Sequence, residues 1–155
     1  MRKLQIAVVG DNNPSPETEH WAEEIGRLLA QNDVVVVCGG LGGVMAAVAR
    51  GAATAGGITV GILPTYDATT ANTSVTVAIP SGMGHGRNVM VVASGDAVIA
   101  LPGSYGTLSE VALALKLGKA VIGMQAWGDV RGVQTVHSPT EAVTLALTAA
   151  HRLSV

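Results

Sequence analysis

The stretch VVVVCGGLGGVMAAVARGAATAGG, Val34 to Gly57, passes from four consecutive valines through a glycine-rich turn into a run made almost wholly of small apolar residues. Four β-branched residues in a row show no polar alternation, the pattern of a strand covered on both faces in a parallel sheet. The Ala-rich segment after it reads as a helix whose slim surface allows close approach to that sheet. Between them, Gly40, Gly42 and Gly43 let the backbone turn sharply and come near a neighbour that a Cβ would hold off.

The same alternation extends in both directions. Upstream, Leu4 to Val9 reads as a strand, and Ser15 with Pro16 marks the N-cap and first turn of a helix. That helix places Trp21, Ile25, Leu28 and Leu29 on one face, with Glu17, Glu24 and Arg27 elsewhere, so it is amphipathic and lies on a sheet. Downstream, strands are expected at Ile58–Leu63, Val75–Ile79, Ala97–Leu101 and Ala120–Gly123, and helices at Asn88–Ala93 and Thr107–Leu117, the latter followed by Gly118 at C′. Ser138-Pro139-Thr140-Glu141 has the spacing of a capping box and opens a last helix through about Arg152. Strands and helices in this order predict an α/β protein, a Rossmann-like doubly wound parallel sheet in a single domain spanning residues 1–155.

Composition agrees with such a core. The chain has 155 residues, 48% hydrophobic and 13% charged, and no Phe, so Val, Ala, Ile and Leu must fill the interior. Net charge is −2 and no Lys/Arg cluster occurs, which argues against a nucleic-acid track. The apolar run in MRKLQIAVVGD is too short for a signal peptide and spans no membrane, so a cytoplasmic protein is expected. A lone Cys38 ending an apolar strand reads as a small buried hydrophobe. His20, His85, His137 and His151 are scattered, so no metal site is expected.

In a doubly wound sheet, ligands sit beyond the carboxyl ends of the strands. Three loops there, GDNNPS, CGGLGG and LPGSYGT, each follow a strand and lead towards a helix, so their N–H groups and helix dipoles can converge on one anion. A phosphate is the expected guest. Arg87, in GHGRN, stands at a helix start, where a cation opposes the dipole unless an anion compensates. Glu110 is open to two readings, as the partner of Thr107 in a T-x-x-E capping box or as a chemical group. His85 is either a general acid or a solvated loop residue, and Asp67 is a weak candidate for a ribose contact. No G-x-x-x-x-G-K-[ST] is present, and the dinucleotide glycine pattern is missing after the first strand.

CGGLGGVM, GRN and LPGSYGTLSE, followed by ALKLGKAVI, resemble the superfamily of lonely-guy cytokinin nucleoside monophosphate phosphoribohydrolases, once misnamed lysine decarboxylases. Against that family's PGGxGTxxE, Pro102, Gly103, Gly106, Thr107 and Glu110 match, and Ser104 replaces a glycine. Arg87 matches the family's arginine, Asn88 replaces its lysine, and Ser109 replaces an acidic residue. The resemblance implies roles for Glu110 and Arg87 in cleaving an N-glycosidic bond, with the glycine-threonine loop on the 5′-phosphate.

GRN, GGLGGVM and GILP resemble more closely a second branch, which includes the molybdenum cofactor carrier proteins. That resemblance implies a binder of molybdopterin, held by its terminal phosphate, with Gly40, Gly42, Gly43, Arg87, Asn88, Pro102, Gly103, Ser104, Gly106, Thr107 and Glu110 around it. It also implies a homodimer or higher homo-oligomer, and exchange of the cofactor with molybdenum enzymes or cofactor-synthesis proteins. Hydrolysis of a nucleoside 5′-monophosphate is the alternative, and nucleotide sensing coupled to assembly is a third.

Overall fold

A computed structural model describes residues 1–153. The strands are β1 (Gln5–Val9), β2 (Val35–Cys38), β3 (Thr59–Leu63), β4 (Val77–Pro80), β5 (Ala97–Ala100), β6 (Val121–Met124) and β7 (Val133–Val136). The helices are α1 (Pro16–Gln31), α2 (Val44–Thr54), α3 (Arg87–Ser94), α4 (Tyr105–Lys116) and α5 (Pro139–Arg152). All strands join one parallel sheet in the order β4-β3-β2-β1-β5-β6-β7. The chain therefore runs outward from β1 to one edge, returns beside β1 as β5, and runs out to the other. That reversal places the switch point, where a doubly wound sheet opens a crevice, between the ends of β1 and β5.

Each central strand serves two cores, as uninterrupted apolar runs require. Ile6 and Val8 of β1 join Val36, Ile99 and Ile122 under α1, α2 and α5. Ala7 and Val9 turn the other way and join Val37, Val98 and Val121 under α3 and α4. Among the described residues no helix is long and apolar enough to cross a membrane.

Most expected elements are present with ends shifted by one or two residues, but two readings are corrected. β7 lies in a stretch to which the sequence assigned no element. It is an edge strand whose Gln134 and Thr135 are exposed, so it lacks the apolar run that marks β1, β2 and β5. α4 begins at Tyr105, with Ser104 at its N-cap, which puts Thr107 inside the first turn. Thr107 and Glu110 therefore form no capping box, and both side chains are buried. The box at Ser138 does form its first half, the Ser138 hydroxyl accepting from Glu141 N–H at 3.2 Å, whereas the Glu141 carboxylate accepts from His137 N–H.

Candidate functional site

At the β1/β5 switch point lies a cleft of about 370 Å³, within the size range of small-molecule sites. Its floor and walls come from the end of β1 (Val8 to Asn12), the turn after β2 (Gly39, Leu41), α2 (Met45), the start of α3 (Arg87, Asn88) and the start of α4 (Ser104, Gly106, Thr107, Glu110). Of the residues singled out in the sequence, the fold thus gathers Arg87, Asn88, Ser104, Gly106, Thr107 and Glu110 on one cavity. Gly40, Gly42, Gly43, Pro102 and Gly103 do not line it; Gly40, Gly43, Pro102 and Gly103 have places in the supporting backbone, and a Cβ on Gly42 would meet nothing within 4 Å.

Gly40 (φ 78) turns towards β3, and its carbonyl accepts from Asn72 N–H at 2.9 Å. The Asn72 amide also donates to Leu41 O at 2.9 Å, so a residue of the irregular segment fastens the glycine turn. At Gly43 (φ 63) a Cβ would lie 2.4 Å from Asp11 O. The next residue, Val44, donates its N–H to that same carbonyl at 2.9 Å. The leading N–H of α2 is therefore satisfied by the loop after β1, which modifies the expectation that three helix starts converge freely on one anion.

α4 differs. Its N-cap residue, Ser104, forms no side-chain cap, and the first intrahelical bond is Leu108 N–H to Ser104 O at 2.9 Å. The N–H groups of Tyr105, Gly106 and Thr107 precede that bond and have no acceptor among the described residues. The Thr107 hydroxyl, on a residue only 4% exposed, packs against Gly103, where a Cβ would meet it at 2.1 Å. Glycine at 103 is required by that contact rather than by a ligand.

Two opposite charges face each other across this floor. Arg87 is 8% exposed, with Nε donating to Ile62 O at 2.9 Å and Nη1 donating to Asn88 Oδ1. Asn88 in turn donates to Ser109 Oγ at 3.1 Å, and Ser109 donates to Gly106 O at 2.6 Å, so the arginine is tied to the first turn of α4. Nη2 lies against Gly39, where a Cβ would stand 2.8 Å from it. Burial pulls the guanidinium below its ordinary value, and the Glu110 carboxylate pulls it back up. The carboxyl of Glu110, a residue also 8% exposed, makes no hydrogen bond among the described residues, and burial pushes it up to about 7 against the opposing effect of Arg87.

The weaker candidates separate clearly. Asp67 is exposed and caps the 3-10 turn Ala68–Thr70 by accepting from Thr69 N–H at 2.9 Å, and it does not line the cleft. His85 stands at the rim and is exposed. Cys38 is fully buried beneath the site, and desolvation raises its thiol to about 11, so it is an inert thiol rather than a nucleophile. Asp11, Asn12 and Gly39 are cleft residues that no single-residue reading of the sequence picked out. Their only signal was membership of the loops GDNNPS and CGGLGG. Among the described residues no group of three His, Cys, Asp or Glu stands together as a metal site.

The model of the SLOG cluster4 family matches residues 3–152. An uncharacterised protein of Archaeoglobus fulgidus is 42% identical over 143 residues, covering 92% of this chain and 94% of that one. A probable cytokinin riboside 5′-monophosphate phosphoribohydrolase of Oryza sativa subsp. japonica is 38% identical over 93 residues, 58% of this chain and 41% of the rice protein. Among solved structures, the molybdenum cofactor binding protein of the phototrophic bacterium Rippkaea orientalis superposes with a TM-score of 0.89 at 36% identity, covering 96% of this chain and 98% of that one. The molybdenum cofactor carrier protein of Chlamydomonas reinhardtii superposes with a TM-score of 0.88 at 27% identity, covering 97% and 99%.

Proposed function

This chain belongs to the SLOG cluster4 family, and on that footing we propose that it binds molybdenum cofactor by the phosphate of the pterin, as a carrier. The observation that carries the reading is the uncapped start of α4, opening on a cleft that also holds a buried arginine. Three N–H groups without acceptors and the positive end of a helix dipole suit a phosphate monoester. The Thr107 hydroxyl adds a donor, and the Arg87 guanidinium supplies a full positive charge close by. The molybdenum cofactor binding protein and carrier protein that share this fold along nearly their whole lengths support the choice of a pterin over other phosphate esters.

In this reading the protein breaks no bond. Binding needs the α4 turn for the phosphate and the volume between Leu41, Met45, His85 and Asn12 for the ring. The molybdenum would be carried by the cofactor itself.

Thr107→Val tests the phosphate half. It removes one hydroxyl donor at nearly constant volume, and a hydrogen bond to a charged oxygen is worth enough that affinity for a pterin phosphate monoester should fall by about tenfold or more. Affinity for the corresponding pterin alcohol should stay unchanged. Calorimetric titration measures both, and equal affinity of the wild-type protein for the two ligands would overturn the reading.

One observation favours the alternative reading, a nucleoside 5′-monophosphate phosphoribohydrolase. Glu110 and Arg87 stand in the same cavity, with a carboxyl that holds a proton near neutrality and can act as a general acid or base on the leaving group. The test is release of free base from adenosine and cytokinin-type monophosphates. Release that is lost in both Glu110→Ala and Arg87→Ala would establish the hydrolase and displace the carrier.

A further inference from the structure

The geometry points to Trp127 as a positioning residue for the phosphate turn, an inference that rests on the phosphate reading above. Trp127 does not line the cleft. It lies in the β6–β7 connection at φ 64, two residues after Gln125 at φ 49. A bulky non-glycine residue in that region is strained, and the surrounding contacts have to hold it there. Here Gln125 N–H donates to Val136 O at 2.9 Å, the Gln125 amide donates to His137 O at 3.1 Å, and Val130 N–H donates to Trp127 O at 3.0 Å.

The strain aims the indole at the phosphate turn. Its Nε1–H donates to Leu101 O at 2.9 Å, and the ring packs beside the core beneath α3 and α4. Leu101 is the first residue beyond β5, fully buried, and its carbonyl falls where sheet pairing has ended. The next carbonyl, Pro102 O, accepts from Asp11 N–H at 3.1 Å, and Leu101 N–H donates to Val9 O at 2.9 Å. The two carbonyls that enter the turn are thus held from separate elements, the first by the indole and the second by the loop after β1.

A peptide plane has its C=O and the following N–H on opposite sides. Anchoring Pro102 O therefore sets where Gly103 N–H points, and anchoring Leu101 O fixes the plane before it. With both held, the segment from Gly103 to Thr107 enters α4 in one orientation, its N–H groups presented to the cleft without rearrangement on binding. Preorganised donors bind an anion more tightly because no ordering cost falls on the binding step.

Trp127→Phe keeps an aromatic ring of similar packing and removes the indole N–H. The expected result is about a tenfold weaker affinity for a pterin phosphate monoester, with affinity for the pterin alcohol unchanged within about twofold. A purely structural role would weaken both ligands alike, and that outcome, or no loss on either, would overturn the inference while leaving the phosphate reading intact. A wild-type protein that fails to prefer the phosphate ester would instead remove the reading itself, and the inference with it. An independent measurement keeps the question open to refutation if the variant folds poorly. In a Trp21→Phe background Trp127 is the sole tryptophan, and its emission wavelength should stay unchanged on saturation with the phosphate ester, since the turn it holds is already in place before the ligand binds. An emission shift with the phosphate ester would show that the turn rearranges on binding, and would overturn the role as firmly as an unchanged affinity ratio.

Discussion

Between pH 4.5 and about pH 8 the wild-type protein is expected to lose roughly 3 kcal/mol more folding stability than its Glu110→Gln variant. The ordinary carboxyl value is 4.5, and in the folded protein burial raises it to about 7. Below the lower value both states hold the proton, and the contribution of this group is fully present. Between the two values the unfolded chain releases a proton that the folded chain keeps, so stability falls as pH rises. Above about 7 the folded protein carries an ionised, poorly solvated carboxylate and the loss is complete. Gln has no proton to release, so its profile lacks this component. Urea unfolding across the range measures the difference between the profiles, and parallel profiles would show that the Glu110 carboxyl is solvated, or its charge fully compensated by Arg87, in the native cleft. The charged group that faces it and opposes the effect is Arg87 of α3, whereas Cys38 of β2, its thiol raised to about 11 by burial, stays neutral across this range.

The cost borne by Glu110 bears on function. A carboxyl with no hydrogen-bonding partner among the described residues, held in a cavity beside a buried arginine, destabilises the protein near neutrality, as groups retained at binding or reaction sites often do. Both members of this pair line the cleft beside the start of α4.

Gly51→Ala is expected to destabilise the protein by about 3 kcal/mol or more, although alanine is favoured over glycine in a helix by about 1 kcal/mol. α1 and α2 approach backbone to backbone. A Cβ on Gly51 would lie 1.8 Å from Glu23 O, and one on Gly26 would lie 2.0 Å from Val48 O. Neither neighbour is a side chain that can swing aside, so the helices must separate and open the core around Ala22, Ile25, Val48 and Ala52. Separation would also stretch the pairing of Arg50 with Glu19 and Glu23, each at 3.1 Å. Gly42→Ala is the control: a Cβ there meets nothing within 4 Å, and stability should change by less than about 0.5 kcal/mol. Denaturant midpoints of the two variants decide the matter, and a Gly51→Ala protein as stable as wild type would mean that the helices are not packed so closely.

Local signals carried a large part of the fold. The valine run of β2, the apolar runs of β1 and β5, and the proline-bearing caps at Ser15 and Ser138 could be read without a structure, because strand burial and helix capping are written in neighbouring residues. The glycine turns could be read as turns, and LPGSYGTLSE as the junction of a strand with a helix. β7 could not, because an edge strand with one buried residue has no apolar period to detect.

What the sequence determined by itself was the alternation of elements, the two-sided core and the set of loops at one end of the sheet, since each follows from side-chain type and spacing. Only the tertiary structure decided which of those loops remain open to a ligand. The first N–H of α2 is taken by Asp11 O, Gly40 is turned away towards β3, and the donors of α4 are left free beside Arg87 and Glu110. The physical reason is that a backbone N–H or C=O is satisfied by whatever the fold brings to it. Asp11 and Val44, or Trp127 and Leu101, are distant in the chain and carry no mark of their pairing until β1, β5 and β6 are laid side by side.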